Sequence, residues 1–132
     1  MISKINHIGI AVSDLDEIRE IYGKIMPEAE VSECEVASQK SRMLCYDVGG
    51  VHMEFLKPTS DDSPIAGFLA KRGQGIHHIA LETDDVKADL DRLVGEGFRA
   101  IDKEPREGMN GTKIAFLHPK STGSVLIELC EK

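Results

Sequence analysis

The sequence has no apolar run approaching the ~20 residues that a transmembrane helix requires. Its first residues, Met1-Ile-Ser-Lys-Ile-Asn-His7, also lack the apolar segment of about 7–15 residues that is typical of a secretory signal. These absences predict a cytoplasmic protein without a membrane partner.

Cysteine is scarce as well. Cys34, Cys45 and Cys130 are odd in number and widely spaced, and no CxxC pair occurs in the sequence. This pattern gives no indication of a zinc ribbon or of a CxxC redox site. We expect reduced and mostly buried thiols.

Basic residues are fewer than acidic residues. The sequence has 16 Lys and Arg and 23 Asp and Glu, which gives a formal net charge of −7. The chain therefore lacks the positive field on which nonspecific nucleic-acid binding depends, and we expect no nucleic-acid partner. A length of 132 residues with 41% hydrophobic residues suits a single domain over 1–132.

Local patterns predict strands and helices along the first half. The β-branched run Ile5–Val12 predicts a strand, and a helix capped by Ser13 follows it and ends at Pro27. The apolar positions of this helix recur at helical spacing: Leu15, Ile18, Tyr22 and Ile25.

A hairpin and a second helix follow. Met43–Tyr46 and Val51–Leu56 are strand-like and flank Gly49-Gly50, which predicts a hairpin. Ser63-Pro64 predicts the start of a short helix that ends at Gly73.

The pattern then repeats. An offset of 71 residues places His7–Ile10 over His78–Leu81 and Met43–Tyr46 over Ile114–Leu117. With three more residues in the last hairpin, Val51–Leu56 falls over Val125–Cys130. The matching helix carries an apolar stripe that Gly95 ends: Val86, Leu90, Leu93 and Val94.

Each half therefore reads as one strand, one helix and three strands. Because two copies are too few for a solenoid, we predict an α+β fold of two paired βαβββ modules. Their strands would form a curved, partly closed mixed sheet around a metal-binding cleft. We expect module 1 at about 1–56, a connector at 57–75 and module 2 at about 76–132.

The repeat places His7 and His78 on the first strand of each module and Glu54 and Glu128 on the last. Paired modules would gather two imidazoles and two carboxylates, a donor set suited to Co²⁺, Mn²⁺, Ni²⁺ or Zn²⁺. Strand alternation turns His77 to the face opposite His78. We therefore predict metal ligation by His7, Glu54, His78 and Glu128.

Structural roles remain open for single residues. A Glu on an edge strand often faces solvent, and a lone His in an apolar strand is often a hydrogen-bonded core residue. His118, at a turn after a strand, is a loop residue or a substrate contact. Four cationic residues are candidates for phosphate contacts or are solvated surface charges: Lys71, Arg72, Lys113 and Lys120.

Several segments together resemble the vicinal oxygen chelate superfamily and, within it, the methylmalonyl-CoA epimerase family. The resemblance covers nearly the whole chain. The segments that carry it are His7-Ile-Gly-Ile-Ala-Val12, Asp62-Ser-Pro-Ile-Ala-Gly-Phe-Leu69, Gly75-Ile-His-His-Ile-Ala80, Phe116-Leu-His-Pro-Lys120 and Val125-Leu-Ile-Glu-Leu129.

The resemblance implies a homodimeric, metal-dependent isomerase that acts on an acyl-CoA ester. It implies ligation by His7, His78 and Glu128, with Glu54 at the fourth position and Co²⁺ as the expected ion. It also implies that Glu128 serves as a catalytic residue in proton abstraction next to the thioester, through an enolate that the metal stabilises.

One departure concerns the second acid–base group. Some members of the family carry a second catalytic Glu on the strand that matches Gln39–Tyr46, where this chain has no carboxylate. Glu54, a metal-bound water or an unassigned residue would take that role. The same four ligands also resemble bacterial lactoylglutathione lyase, and a noncatalytic binding protein of the superfamily is a third reading.

Overall fold

A computed structural model describes residues 1–131 as eight strands and three α-helices. Three single-turn 3₁₀ helices lie at Ala37–Gln39, Met109–Gly111 and Pro119–Ser121. The longer elements, in chain order, are β1 (Ile2–Ala11), α1 (Leu15–Ile25), β2 (Glu30–Val36), β3 (Ser41–Val48), β4 (Val51–Pro58), α2 (Pro64–Arg72), β5 (Gly75–Thr83), α3 (Val86–Gly95), β6 (Arg106–Glu107), β7 (Lys113–Leu117) and β8 (Ile127–Glu131).

The strands are hydrogen-bonded in the order β2-β3-β4-β1-β5-β8-β7-β6. Strands β5 and β8 are parallel, whereas β2–β3, β3–β4 and β7–β8 are antiparallel, so the sheet is mixed. The α+β fold class is confirmed, and each half contains the predicted strand, helix and three strands.

The chain divides into two compact units that do not follow the order of the sequence. The central unit is Ile8–His77. The terminal unit combines Met1–His7 with the residues from His78 onward. Strands β1 and β5 therefore each contribute residues to both units.

In the central unit, the β3–β4 hairpin has an apolar cluster on each face because its side chains alternate. Leu44, Tyr46 and Phe55 pack with Leu15 and Ile18 of α1. The opposite face packs against α2 through Met43, Cys45, Leu56 and Ile65.

The ends of α1 and α2 test the predicted helix signals. Ser63 caps α2 by accepting a hydrogen bond from the Ile65 N–H at 3.1 Å, and Gly73 ends the helix with φ at +75°, as predicted. The prediction that Ser13 caps α1 is wrong. Asp14 is the cap, because its carboxylate accepts from the Asp16 and Glu17 N–H groups at 2.9 and 3.2 Å.

The terminal unit also has two apolar faces. One face packs against α3 and includes Val86, Leu90, Ala115, Leu117 and Leu129. The other face carries a smaller cluster: Ala80, Ile114, Phe116 and Cys130.

Within the described part of the chain, no helix has both the length and the apolar character needed to cross a bilayer.

Candidate metal centre

The face of the terminal unit opposite α3 carries the candidate site. On β8, Leu129 points toward α3, so Glu128 and Cys130 point the other way. The register places Ala80 of β5 and Phe116 of β7 beside Glu128. Three neighbouring strands thus direct their alternate residues to one place.

His7, His78 and Glu128 meet at this place. The Nε2 atoms of the two imidazoles are 3.1 Å apart. Glu128 Oε1 lies 3.8 Å from His7 Nε2 and 3.4 Å from His78 Nε2. The structure therefore brings together three of the four predicted ligands.

Burial makes this arrangement chemically unusual. The side chains of His78 and Glu128 are only 2% and 6% exposed, and His7 is 12% exposed. The His78 ring packs edge-on against His7 and Phe116, with ring centroids 5.1 and 5.8 Å apart. A buried carboxylate beside two imidazoles needs a compensating positive charge, from a proton or from a cation.

The three donor atoms fit a divalent cation. Bonds of about 2.0–2.2 Å to His nitrogen and carboxylate oxygen place adjacent ligand atoms about 3.0–3.5 Å apart, in octahedral or tetrahedral coordination. The observed separations of 3.1, 3.4 and 3.8 Å are close to this range. Two imidazole nitrogens and one carboxylate oxygen also suit a borderline metal ion.

Glu54, the fourth predicted ligand, lies on β4 in the central unit. It is half-buried and pairs in register with Cys45 of β3. Its carboxylate, the Cys45 thiol and a His52 ring nitrogen lie within 4.8 Å of one another. Burial raises the pKa of Glu54 to about 7, and burial together with the Glu54 charge raises the pKa of Cys45 to about 11.

The other two candidate histidines have different environments. His77 packs edge-on against Phe68 of α2, with ring centroids 5.1 Å apart, and burial lowers its pKa. His78, not His77, contacts His7, as strand alternation predicts. His118 lies in a loop, where it caps a 3₁₀ turn by accepting a hydrogen bond from the Lys120 N–H at 3.1 Å.

Sequence reasoning missed three residues near the centre. Asn6 and Glu82 form a hydrogen-bonded chain that ends at His7, and the Cys130 sulfur lies within 4.8 Å of ligand atoms of His7 and Glu128. The signal that could have found Cys130 is strand alternation, which places residues 128 and 130 on the same face of β8. Nothing in the spacing indicates the Asn6 contact.

The chain belongs to the glyoxalase/bleomycin resistance protein/dioxygenase superfamily, because the model of that family matches residues 6–116. Among its relatives, it is 39% identical to an uncharacterised Bacillus subtilis protein, YqjC, over 98% of this chain and 92% of that protein. It is 38% identical to human mitochondrial methylmalonyl-CoA epimerase, over 97% of this chain and 73% of that protein.

Solved structures of methylmalonyl-CoA epimerases are similar to this chain as well. A methylmalonyl-CoA epimerase in complex with methylmalonyl-CoA and NH₄⁺ superimposes with a TM-score of 0.89 at 38% identity. The match covers all of this chain and 96% of that one. The resemblance recognised in the sequence is confirmed.

Proposed function

We propose that this protein is a methylmalonyl-CoA epimerase, an isomerase that interconverts the R and S forms of its substrate. The convergence of His7, His78 and Glu128 in a buried cluster carries the proposal. The likeness to relatives named for this activity supports it and is the ground for the proposed substrate.

His7, His78 and Glu128 would hold the divalent cation, with Glu54 as the proposed fourth ligand. When bound, the cation supplies Lewis acidity that stabilises negative charge developing on the thioester oxygen. The apolar residues around the cluster, including Ala80 and Phe116, exclude water and so strengthen these electrostatic interactions.

The reaction removes the proton on the carbon next to the thioester and returns a proton to the opposite face. We assign Glu128 one of these transfers, because its buried carboxylate lies at the cluster. The second transfer needs another group on the other face of the planar intermediate. Glu54 or a water molecule takes this role in the proposal, since Gln39–Tyr46 contains no carboxylate.

Several finer points belong to the same proposal. Co²⁺ is the proposed ion, and Mn²⁺, Ni²⁺ and Zn²⁺ suit the same donors. The proposed assembly is a homodimer, and the cytoplasm is the location that the sequence predicts. Contacts to the CoA phosphates are proposed for exposed cationic residues: Lys71, Arg72, Lys113 and Lys120.

Deuterium exchange tests the proposal. The protein, loaded with Co²⁺ in D₂O, is expected to incorporate one deuterium at the α-carbon of methylmalonyl-CoA, measured by mass spectrometry or NMR. Protein treated with a chelator is the control. Exchange no faster than in that control would contradict the proposal.

The same preparation tests the alternative activity. A lactoylglutathione lyase would also use a buried His and Glu metal centre, but it would form S-lactoylglutathione from methylglyoxal and glutathione. We expect none above the background rate. Formation of this product without exchange in methylmalonyl-CoA would replace the proposed function with the lyase.

A further inference from the structure

A chain of two hydrogen bonds leads from Glu82 to the His7 ring. Asn6 Nδ2 donates to Glu82 Oε1 at 2.8 Å. Asn6 Oδ1 lies 2.7 Å from His7 Nδ1. All three residues belong to the terminal unit and are partly buried.

The chemistry of the three groups fixes the direction of this chain. An ionised carboxylate only accepts hydrogen bonds, so the NH₂ group of Asn6 must face Glu82. The carbonyl oxygen of Asn6 therefore faces His7, and a carbonyl oxygen only accepts. His7 Nδ1 must then carry the proton and donate it to Asn6.

This direction determines the other ring nitrogen of His7. A neutral imidazole with its proton on Nδ1 has its lone pair on Nε2. His7 Nε2 is the atom that lies 3.1 Å from His78 Nε2 and 3.8 Å from Glu128 Oε1. The lone pair is therefore at the candidate metal centre.

We propose that Asn6 and Glu82 are positioning residues, which hold His7 in the Nδ1–H tautomer and aim Nε2 at the metal. The proposal rests on the metal site of the proposed function. Glu82 acts through Asn6: its charge strengthens the Asn6 donor, which polarises the amide and makes its oxygen a better acceptor for His7. Outer hydrogen bonds of this kind orient ligating histidines in metal proteins.

Substitution of Asn6 tests the proposal in two ways. Asn6→Ala removes the acceptor of the Nδ1 proton, so in the metal-free protein His7 is expected to populate the Nε2–H tautomer. Long-range ¹H–¹⁵N spectra of the histidine rings measure this. The affinity for Co²⁺, from isothermal titration calorimetry, is expected to fall about 10–100-fold.

Two further variants separate positioning from packing. Asn6→Asp combined with Glu82→Gln keeps an oxygen for the His7 Nδ1 proton and an amide–carboxylate hydrogen bond between positions 6 and 82, so this double variant is expected to restore the tautomer and most of the affinity. Glu82→Ala leaves Asn6 in place and is expected to lower the affinity by less than Asn6→Ala. If Asn6→Ala does not fold, the Glu82→Ala measurements decide, and affinity within twofold of wild type overturns the proposal.

Ser3→Ala is the matched control. Ser3 is also on β1, and its hydroxyl donates to the Glu82 carbonyl oxygen at 3.4 Å. The variant therefore removes a hydrogen bond between β1 and β5 that is not part of the path from Glu82 through Asn6 to His7. Ser3→Ala is expected to change neither the His7 tautomer nor the affinity for Co²⁺. A folded Asn6→Ala protein that keeps the His7 Nδ1–H tautomer and binds Co²⁺ within twofold of wild type would overturn the proposal.

The two readouts also keep this proposal distinct from the proposed function. Wild-type protein that binds no Co²⁺ would overturn the metal site, and the inference with it. Wild-type protein that binds Co²⁺ but shows no exchange in methylmalonyl-CoA would overturn the epimerase alone. The tautomer and affinity measurements would then still decide the role of Asn6.

Discussion

Glu128 is the residue with the most proposed roles at this site. Its carboxylate is buried and lies 3.4 Å from His78 Nε2 and 3.8 Å from His7 Nε2. Removal of this group takes away one proposed ligand and one proposed acid–base group together. It also leaves two imidazoles facing each other without the anion.

We expect Glu128→Ala to lower the rate of α-proton exchange by at least about 10²-fold, the lower bound for loss of a positioned acid–base group. The affinity for Co²⁺ should fall in the same variant, because a ligand is lost. Steady-state kinetics and calorimetry measure the two effects. Glu96→Ala, which removes an exposed Glu of the same unit, is the control.

An exchange rate for Glu128→Ala within a few-fold of wild type would show that Glu128 is not catalytic. If the rate were unchanged but Co²⁺ affinity fell, Glu128 would be a ligand only.

Part of this site could be predicted from the sequence because chemistry-bearing residues recur at equivalent positions of a repeat. His7 and His78 are 71 residues apart, and Glu128 falls on the last strand of its half. Asn6 could not be predicted in this way. Asn6 is next to His7 on β1, so strand alternation predicts that the two side chains lie on opposite faces of the strand. In the structure, the Asn6 amide nevertheless reaches Nδ1 of the His7 ring.

At the scale of the elements, the start of α1 shows how a cap is chosen. Ser13 and Asp14 are both good capping residues, and the sequence does not distinguish them. In the structure, Asp14 has extended backbone angles, φ −145° and ψ 111°, and its carboxylate accepts two N–H groups. The Ser13 N–H instead donates to Gln74 Oε1 at 2.8 Å.

Asp14→Ala is therefore expected to lower the free energy of unfolding by about 1 kcal/mol, the usual value of a lost N-cap. Ser13→Ala is the matched control, and it should have little effect because the Ser13 contact to Gln74 uses the backbone. Urea denaturation of both variants measures the difference. A larger loss in Ser13→Ala than in Asp14→Ala would contradict the assignment.

The strands differ in how well the sequence predicts them. The β3–β4 hairpin was predictable because both of its faces are packed, and its apolar runs flank Gly49 and Gly50, which have positive φ. Strand β2 alternates less clearly. It lies at the edge of the sheet and four of its seven residues are polar or charged, so backbone pairing with β3 defines it more than burial does.

For the whole molecule, carboxylates that are paired with cations make stability depend on pH. Three carboxyl groups have lowered pKa values because cations bind them. Arg19 and Arg42 donate to Glu33, Lys40 donates to Asp62, and the N-terminal amino group donates to Asp84. Each carboxylate is therefore more acidic in the folded chain than in the unfolded chain.

A lowered pKa stabilises the folded state above the ordinary pKa, because the unfolded state binds more protons in the acidic range. For Glu33 the ordinary pKa is 4.5. We expect its contribution to be complete above that pH and to be lost as the pH falls below it. Urea denaturation of wild type and Glu33→Gln from about pH 6 to pH 3 should show a shallower acid decline in the variant.

Glu30→Gln makes the same charge change on the same strand at an exposed position, so it is the control for net charge. An equal slope for wild type and Glu33→Gln would show that the two arginine contacts do not affect stability.

The division of the chain into units also has a consequence for its synthesis. The central unit, Ile8–His77, is one continuous stretch and can be complete while the chain is still growing. The terminal unit cannot, since His7 is made on the order of 10 s before Glu128 at ordinary translation speeds of about 5–20 residues per second. A growing chain that has not yet reached Glu128 therefore lacks part of the proposed metal site, and only a chain extended through Glu128 could hold the proposed ion.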